Sequence, residues 1–151
     1  MALSDRSSSL EQAHHYIYSI DFSMIIEKMV KNGGWRMSDA LATAKLYCNF
    51  LYLNKKYPSD AILPPSEDID EFWHYHILDT RKYLIDCDAI FGNYLHHYPY
   101  LIVDHHLNHA DLNQAFEVTQ HLHQIEFGEP IFATRSQHHS FCYSLLKLLR
   151  L

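Results

Sequence analysis

Residues 66–91 of the chain read SEDIDEFWHYHILDTRKYLIDCDAIF. Ser66 can accept a hydrogen bond at a helix N-terminus, and Glu67 and Asp68 place negative charge in the first turn, where the helix dipole favours it. Gly92 follows as a stop signal. The stretch therefore predicts one long helix, whose inward stripe consists of Ile69, Phe72, Trp73, Thr80, Tyr83, Leu84 and Cys87.

Helical spacing recurs on both sides of this stretch. Apolar residues predict further helices over about 22–31, 38–57 and 107–127, and each ends at a glycine or proline. No segment shows the sustained alternation of apolar and polar residues that is typical of a strand. We predict an all-α fold, a compact single-domain bundle of about four to five helices with an irregular loop rich in histidine and tyrosine.

The length of 151 residues is typical of one domain. We predict a polar tail over residues 1–15, a helical domain over 16–130 and a C-terminal tail over 131–151. The C-terminal tail carries the pattern of a short amphipathic helix on Phe141, Leu145, Leu148 and Leu149.

Composition excludes several classes of function. The net charge of −6 argues against nucleic-acid binding, which depends on a basic surface. No apolar run approaches the roughly 18 residues of a membrane helix, and the N-terminus lacks a secretory signal. The three cysteines show no CxxC spacing, which favours a reducing compartment. We therefore predict a soluble, cytoplasmic protein that contacts neither nucleic acid nor membrane.

The thirteen histidines are the most unusual feature of the composition. Histidine is the commonest metal ligand in proteins. Asp70 and His74 lie four residues apart, a spacing that brings a carboxylate and an imidazole to one ion on a helix face. His76 lies about 160° from His74 around an unbroken helix, so these two histidines cannot share a metal. The spacing predicts Asp70 and His74 as metal ligands.

Other candidates complete or support this site. His96 and His97 lie in the predicted loop, and we expect one or both to supply further metal ligands. His76 and Asp79 are three residues apart, which suits a carboxylate that holds an imidazole in one tautomer. Together with Tyr83 they are the candidate catalytic residues, as a general acid–base group.

Three other interpretations of these residues stay open. An aspartate and a histidine at this spacing are often a mere surface contact, and a histidine within an apolar stripe is often a hydrogen-bonded core residue. Adjacent histidines in a loop are often exposed to solvent. Finally, protonation of all thirteen histidines would add thirteen positive charges to −6 and give +7, so the histidines could form a pH-responsive surface.

The chain resembles the glycine-rich domain-containing protein-like family over about residues 35–130. The resemblance is carried by Leu63-Pro64-Pro65-Ser66, by Trp73-His74-x-His76-Ile77-Leu78-Asp79-Thr80 and by Leu95-His96-His97-x-Pro99. With four glycines the chain lacks a glycine-rich segment, so it is similar to the conserved N-terminal domain alone. The resemblance implies that the Asp and His residues of these motifs act together, and it implies no particular biochemical activity.

Two functional hypotheses follow. In the first, Asp70, His74 and the His96/His97 loop bind zinc or iron, because nitrogen and oxygen ligands suit both metals. In the second, the Trp/His/Asp cluster is a buried hydrogen-bond network in a structural or protein-interaction module with an unidentified protein partner. The sequence contains no P-loop, dinucleotide fingerprint or HExxH motif, so we predict no nucleotide cofactor and leave enzymatic activity open.

Overall fold

A computed structural model describes the chain over residues 3–58, 63–98 and 109–135. This part of the chain is all-helical, which confirms the predicted fold class. Its helices are α1 (Leu3–Ser19), α2 (Ser23–Gly33), α3 (Met37–Lys56), α4 (Glu67–Leu78), α5 (Thr80–Phe91) and α6 (His109–Phe127). The described helices outnumber the predicted four to five because α1 occupies the predicted N-terminal tail and because the long helix predicted over 66–91 is two helices.

Helix α1 lies in the region predicted as a polar tail over residues 1–15. It packs against α3 and α5, and it buries Ala13 and Ile17 almost completely. Two apolar residues one helical turn apart form too short a stripe to stand out among polar neighbours in the sequence. The division of the chain into a domain over 16–130 with two tails stays a prediction, and the predicted helix at 141–151 lies outside the described residues.

The second difference is a break at Asp79, between α4 and α5. The backbone of Asp79 has φ −83° and ψ 72°, outside the helical region, and its N–H donates to the His76 carbonyl at 3.1 Å. Its carboxylate then accepts a hydrogen bond from the Lys82 backbone N–H at 3.4 Å and caps α5. The chain therefore changes direction within the stretch that the sequence predicts as one helix.

Other helix ends agree with the sequence signals. The Ser66 hydroxyl accepts from the Ile69 backbone N–H, which confirms the predicted cap of α4. Gly92 ends α5 in the left-handed conformation, with φ 71°, which a side chain would disfavour. This turn directs the following residues, 93–98, back across the surface of α4 and α5.

The core lies where α3 meets α4 and α5. Tyr47 of α3 packs against Phe72 of α4 with ring centroids 5.1 Å apart, and Phe50 packs against Trp73 at the same separation. Tyr83 of α5 is fully buried beside them. Because α4 lies directly on this core, the outer edge of α4 is held rigidly and can position functional side chains.

Residues 128–135, which we call the closing segment, run from α6 back to α4. Ile131 is held by a reciprocal pair of hydrogen bonds with the Gln120 side chain of α6, at 2.7 and 2.9 Å. Thr134 then donates from its backbone N–H to Asp68 of α4 at 2.8 Å. The closing segment thus joins the last described helix to the helix that carries the candidate site. Among the helices described, none is long and apolar enough to cross a membrane.

Candidate metal centre

Asp70, His74 and His97 come together at the outer edge of α4. One potential ligand atom from each of these three residues lies within 4.8 Å of the other two. The Nε2 atoms of His74 and His97 are 3.0 Å apart, and His97 Nε2 is 2.8 Å from Asp70 Oδ1. The third edge, from His74 Nε2 to Asp70 Oδ2, measures 3.5 Å. We call these three residues the ligand cluster.

Local sequence explains how each member reaches its place. Asp70 and His74 are one helical turn apart on α4, so their side chains lie on one face of that helix, as their spacing predicts. His97 comes from the segment after Gly92, which returns across that face. The cluster therefore combines two residues from a rigid helix with one from a loop.

The separations within the ligand cluster fit a transition-metal site. Ligand atoms about 2.0–2.1 Å from a tetrahedral zinc ion lie about 3.3 Å from one another. The three observed separations, which involve both carboxylate oxygens of Asp70, range from 2.8 to 3.5 Å and bracket that value. The side chains of His74, Asp70 and His97 are 36%, 25% and 14% exposed, so an ion in solution can reach them.

The Nε2 atom of His97 cannot donate a proton to Asp70 and accept one from His74 at the same time. A neutral imidazole carries one proton, on one of its two nitrogens. A proton on His97 Nε2 that points at Asp70 removes the lone pair that could accept from His74. A proton on His74 Nε2 that points at His97 instead leaves the lone pairs of His97 and Asp70 facing each other at 2.8 Å. A cation between the three ligand atoms would be attracted by all of them.

A buried hydrogen-bond chain supports the loop that carries His97. The indole Nε1–H of Trp73 donates to the Tyr83 hydroxyl at 2.9 Å, and that hydroxyl donates to the Leu95 carbonyl at 2.5 Å. The Trp73 ring also packs against the His97 ring, with centroids 4.5 Å apart. These two hydrogen bonds fix the backbone at Leu95, two residues before His97.

His96, the neighbour of His97, is not a member of the ligand cluster. It is exposed, and its ring contacts that of Tyr94 with centroids 4.9 Å apart. The sequence left the choice between the two histidines open, because the direction of a side chain in a loop does not follow from spacing.

His76 lies in a different environment, deep in the core. It is 1% exposed, its Nδ1 lies 2.9 Å from the Tyr47 hydroxyl, and its Nε2 lies 2.9 Å from Asp86 Oδ2. The pairing with Asp79 that the sequence favoured is therefore wrong. The helix break after Leu78 turns Asp79 outward to cap α5, and Asp86, about two turns further along α5, takes its place. We call His76, Tyr47 and Asp86 the His76 network.

Tyr83, the third candidate catalytic residue, borders the His76 network without a hydrogen bond to it. Its ring meets the His76 ring edge-on at 4.9 Å, and its hydroxyl belongs to the Trp73 and Leu95 chain. Burial raises the pKa of Tyr83 well above its usual range, so the hydroxyl stays protonated at neutral pH. The three candidates thus do not form one group, and a catalytic role for any of them stays a prediction.

Sequence analysis missed Asp86 and Tyr47 as partners of His76. Both contacts join residues of different helices, and no spacing along one helix reports them. The only signal was the position of His76 in the middle of an apolar stripe, which indicates a histidine that needs buried hydrogen-bond partners.

Residues 12–132 match the family model described as UCP032817-like, and the chain belongs to that family. This match overturns the resemblance to the glycine-rich domain-containing protein-like family, which is wrong. The implication that the Asp and His residues of the motifs act together falls with it, so the ligand cluster stands on its geometry alone. No curated protein and no solved structure shows significant similarity to the chain.

Proposed function

We propose that the chain binds a divalent zinc or iron ion through Asp70, His74 and His97. The observation that carries this proposal is the convergence of two imidazole nitrogens and a carboxylate oxygen within 4.8 Å. A set of nitrogen and oxygen ligands suits either metal. The described residues supply three ligands, and such an ion can polarise a bound oxygen atom as a Lewis acid.

The surroundings of the ligand cluster support the proposal. A metal-binding histidine is commonly held in place by outer contacts that fix its ring. Here the Trp73 ring packs on His97, and the Tyr83 hydroxyl anchors the preceding backbone at Leu95. Asp70 and His74 are held by a helix that lies on the core.

A different role is favoured for the His76 network. We propose that the His76 network stabilises the fold, because His76 is 1% exposed and hydrogen-bonds to residues of two other helices. The structural hypothesis therefore applies to His76, and the metal hypothesis applies to Asp70, His74 and His97. Cytoplasmic location and a protein partner stay predictions.

The metal proposal is tested by titration of the untagged chain after removal of bound metal. Zinc and ferrous iron are added separately, the iron under anaerobic conditions, and binding is measured by calorimetry and metal analysis. We expect one equivalent of zinc or iron to bind to the wild-type chain. His97→Ala should lower the affinity at least tenfold, because it removes one of three ligands. His96→Ala is the matched control, and it should bind as the wild type does.

Two results would contradict this proposal. One is a wild-type chain that stays folded and binds neither metal at micromolar concentration. The other is an equal loss of affinity in the His96→Ala and His97→Ala variants. The stability of the metal-free chains separates a metal site from a structural one, since the His97→Ala chain and the wild type should unfold at similar urea concentrations once metal is absent.

A further inference from the structure

We infer that Tyr83 is a positioning residue for the metal site: its hydroxyl sets metal affinity by fixing Leu95 and by orienting Trp73, although it contacts none of the three ligands' donor atoms. This inference rests on the proposed function and assigns to Tyr83 a role other than catalysis. It follows from the connection between the buried Tyr83 hydroxyl and the loop that carries His97.

The first argument is the weak burial of that loop. Gly92, Asn93, Tyr94, His96 and Tyr98 are all exposed. Leu95 and His97 are the partly buried members of the segment. Leu95 packs against the core and the Trp73 ring packs on His97, but most of the segment is exposed, so specific hydrogen bonds also contribute to the position of His97.

The second argument is that Leu95 is held through its backbone carbonyl. Its carbonyl accepts from the Tyr83 hydroxyl at 2.5 Å. The Leu95 backbone also lies near the Cys87 thiol: burial raises the pKa of that thiol, and the Leu95 backbone lowers it in part. Tyr83 and Cys87 lie one turn apart on α5, so α5 contacts the loop at Leu95, two residues before His97.

The third argument is that the same hydroxyl orients Trp73. It accepts the indole N–H at 2.9 Å, and the indole ring in turn packs on the His97 ring. Removal of this one oxygen atom would free the Leu95 carbonyl and leave the buried indole N–H without its acceptor. Two supports of His97, the anchored Leu95 carbonyl and the oriented Trp73 ring, therefore depend on the Tyr83 hydroxyl.

Loss of these supports should weaken metal binding because the loop would occupy more conformations in the metal-free protein. A loop that occupies several positions is competent to bind in only a fraction of its conformations, and apparent affinity falls by that fraction. Loss of an outer contact of a metal ligand typically costs about 10–100-fold in metal affinity. We expect Tyr83→Phe to raise the dissociation constant at least tenfold while all three ligands remain.

The test compares Tyr83→Phe with Tyr47→Phe by titration with cobalt(II) and zinc. Cobalt absorption in the visible range reports the geometry of the ligands around the ion, which a general loss of stability would not change. Tyr47 is the matched control, because it is also fully buried and its hydroxyl contacts His76 rather than the ligand cluster. Tyr47→Phe should bind cobalt within about twofold of the wild type, with an unaltered spectrum.

The outcomes separate this inference from the proposed function. A wild-type chain that binds neither of these ions nor ferrous iron overturns both. Wild-type binding with an equal affinity and spectrum in Tyr83→Phe overturns the inference and leaves the metal site intact. If Tyr83→Phe does not fold, Trp73→Phe replaces it, because that variant removes the indole N–H and keeps the Tyr83 hydroxyl on Leu95. Trp73→Phe must then weaken binding more than Tyr47→Phe does, and equal affinities in these two variants overturn the inference.

Discussion

Asp86 shows how a single carboxylate joins three helices. It accepts from the Tyr16 hydroxyl of α1 at 2.7 Å, pairs with His76 of α4 at 2.9 Å and lies 3.3 Å from the Lys82 ammonium of α5. Burial acts to raise the pKa of Asp86, but the hydrogen bonds from His76 and Tyr16 and the charge of Lys82 outweigh it and lower the pKa. The folded state therefore favours the ionised form.

This lowered pKa predicts how stability depends on pH. A carboxyl whose pKa is lower in the folded state stabilises the fold above its unfolded pKa of about 3.9, and the contribution disappears as pH falls through the folded pKa. Asp86→Asn should cost about 2 kcal/mol near pH 7, because it replaces hydrogen bonds to a charged group. The difference in melting temperature between wild type and variant should then shrink below about pH 4. A difference that stays constant from pH 6 to pH 3 would contradict this assignment.

Residue spacing predicts contacts within one element and misses those between elements. Asp70 and His74 share a helix face, so their proximity follows from helical geometry alone. His97 could not be distinguished from His96, because its direction depends on the turn at Gly92 and on the anchored Leu95. Asp86 was missed because a straight helix would place Asp79 at the same imidazole.

At the scale of elements, the break at Asp79 determines the shape of the site. An unbroken helix from Ser66 to Phe91 would direct the chain after Gly92 away from α4. The break lets α5 pack beside α4, so the segment after α5 returns to the face of α4 that carries Asp70. The sequence favours a continuous helix here because no glycine or proline marks the break, and an aspartate is compatible with both a helix interior and a cap.

The capping role of Asp79 leads to a prediction about stability. Replacement of an N-cap aspartate by alanine costs about 0.5–2 kcal/mol. Since the hydrogen bond from the Lys82 N–H is long, at 3.4 Å, we expect Asp79→Ala to cost about 0.5–1 kcal/mol in urea unfolding. Asp88→Ala is the control, an exposed aspartate near the opposite end of α5, where loss of negative charge should be neutral or slightly stabilising. Equal losses in the two variants would show that Asp79 does not act as a cap.

At the scale of the molecule, the closing segment brings the Arg135 guanidinium to the face of α4 that carries Asp68 and Glu71. Arg135 lies 2.8 Å from Asp68 and 2.9 Å from Glu71, and its guanidinium stacks 3.9 Å from the centre of the Trp35 ring. Trp35 in turn donates to Glu71 at 2.9 Å. Helix α4 therefore carries two sets of polar contacts, the ligand cluster toward the loop after α5 and this acidic pair toward the closing segment.

Sequence periodicity predicted the helices of this molecule but not the contact between the closing segment and α4. Arg135 lies in the region predicted as a C-terminal tail, about 65 residues from its partners, and nothing in its local pattern separates it from other exposed arginines. Sequence analysis identified Asp68 as a charge in the first turn of α4, and this helix-dipole role already explains an aspartate there, so no distant partner was expected. Long-range ion pairs of this kind become visible only when the fold brings their elements together.

The closing segment gives the last prediction, which concerns the stability of the whole domain. Asp68 and Glu71 are 8% and 7% exposed, so Arg135→Ala would leave two nearly buried carboxylates without their shared cation. Breaking a buried ion pair costs about 3–5 kcal/mol, and we expect about 3 kcal/mol in urea unfolding because Arg135 keeps some contact with water. Lys45→Ala is the control, since Lys45 lies 3.6 Å from Glu129 in an exposed pair that should contribute less than about 1 kcal/mol. If the two variants lost equally little, the closing segment would be peripheral, and α4 would depend on its core contacts alone.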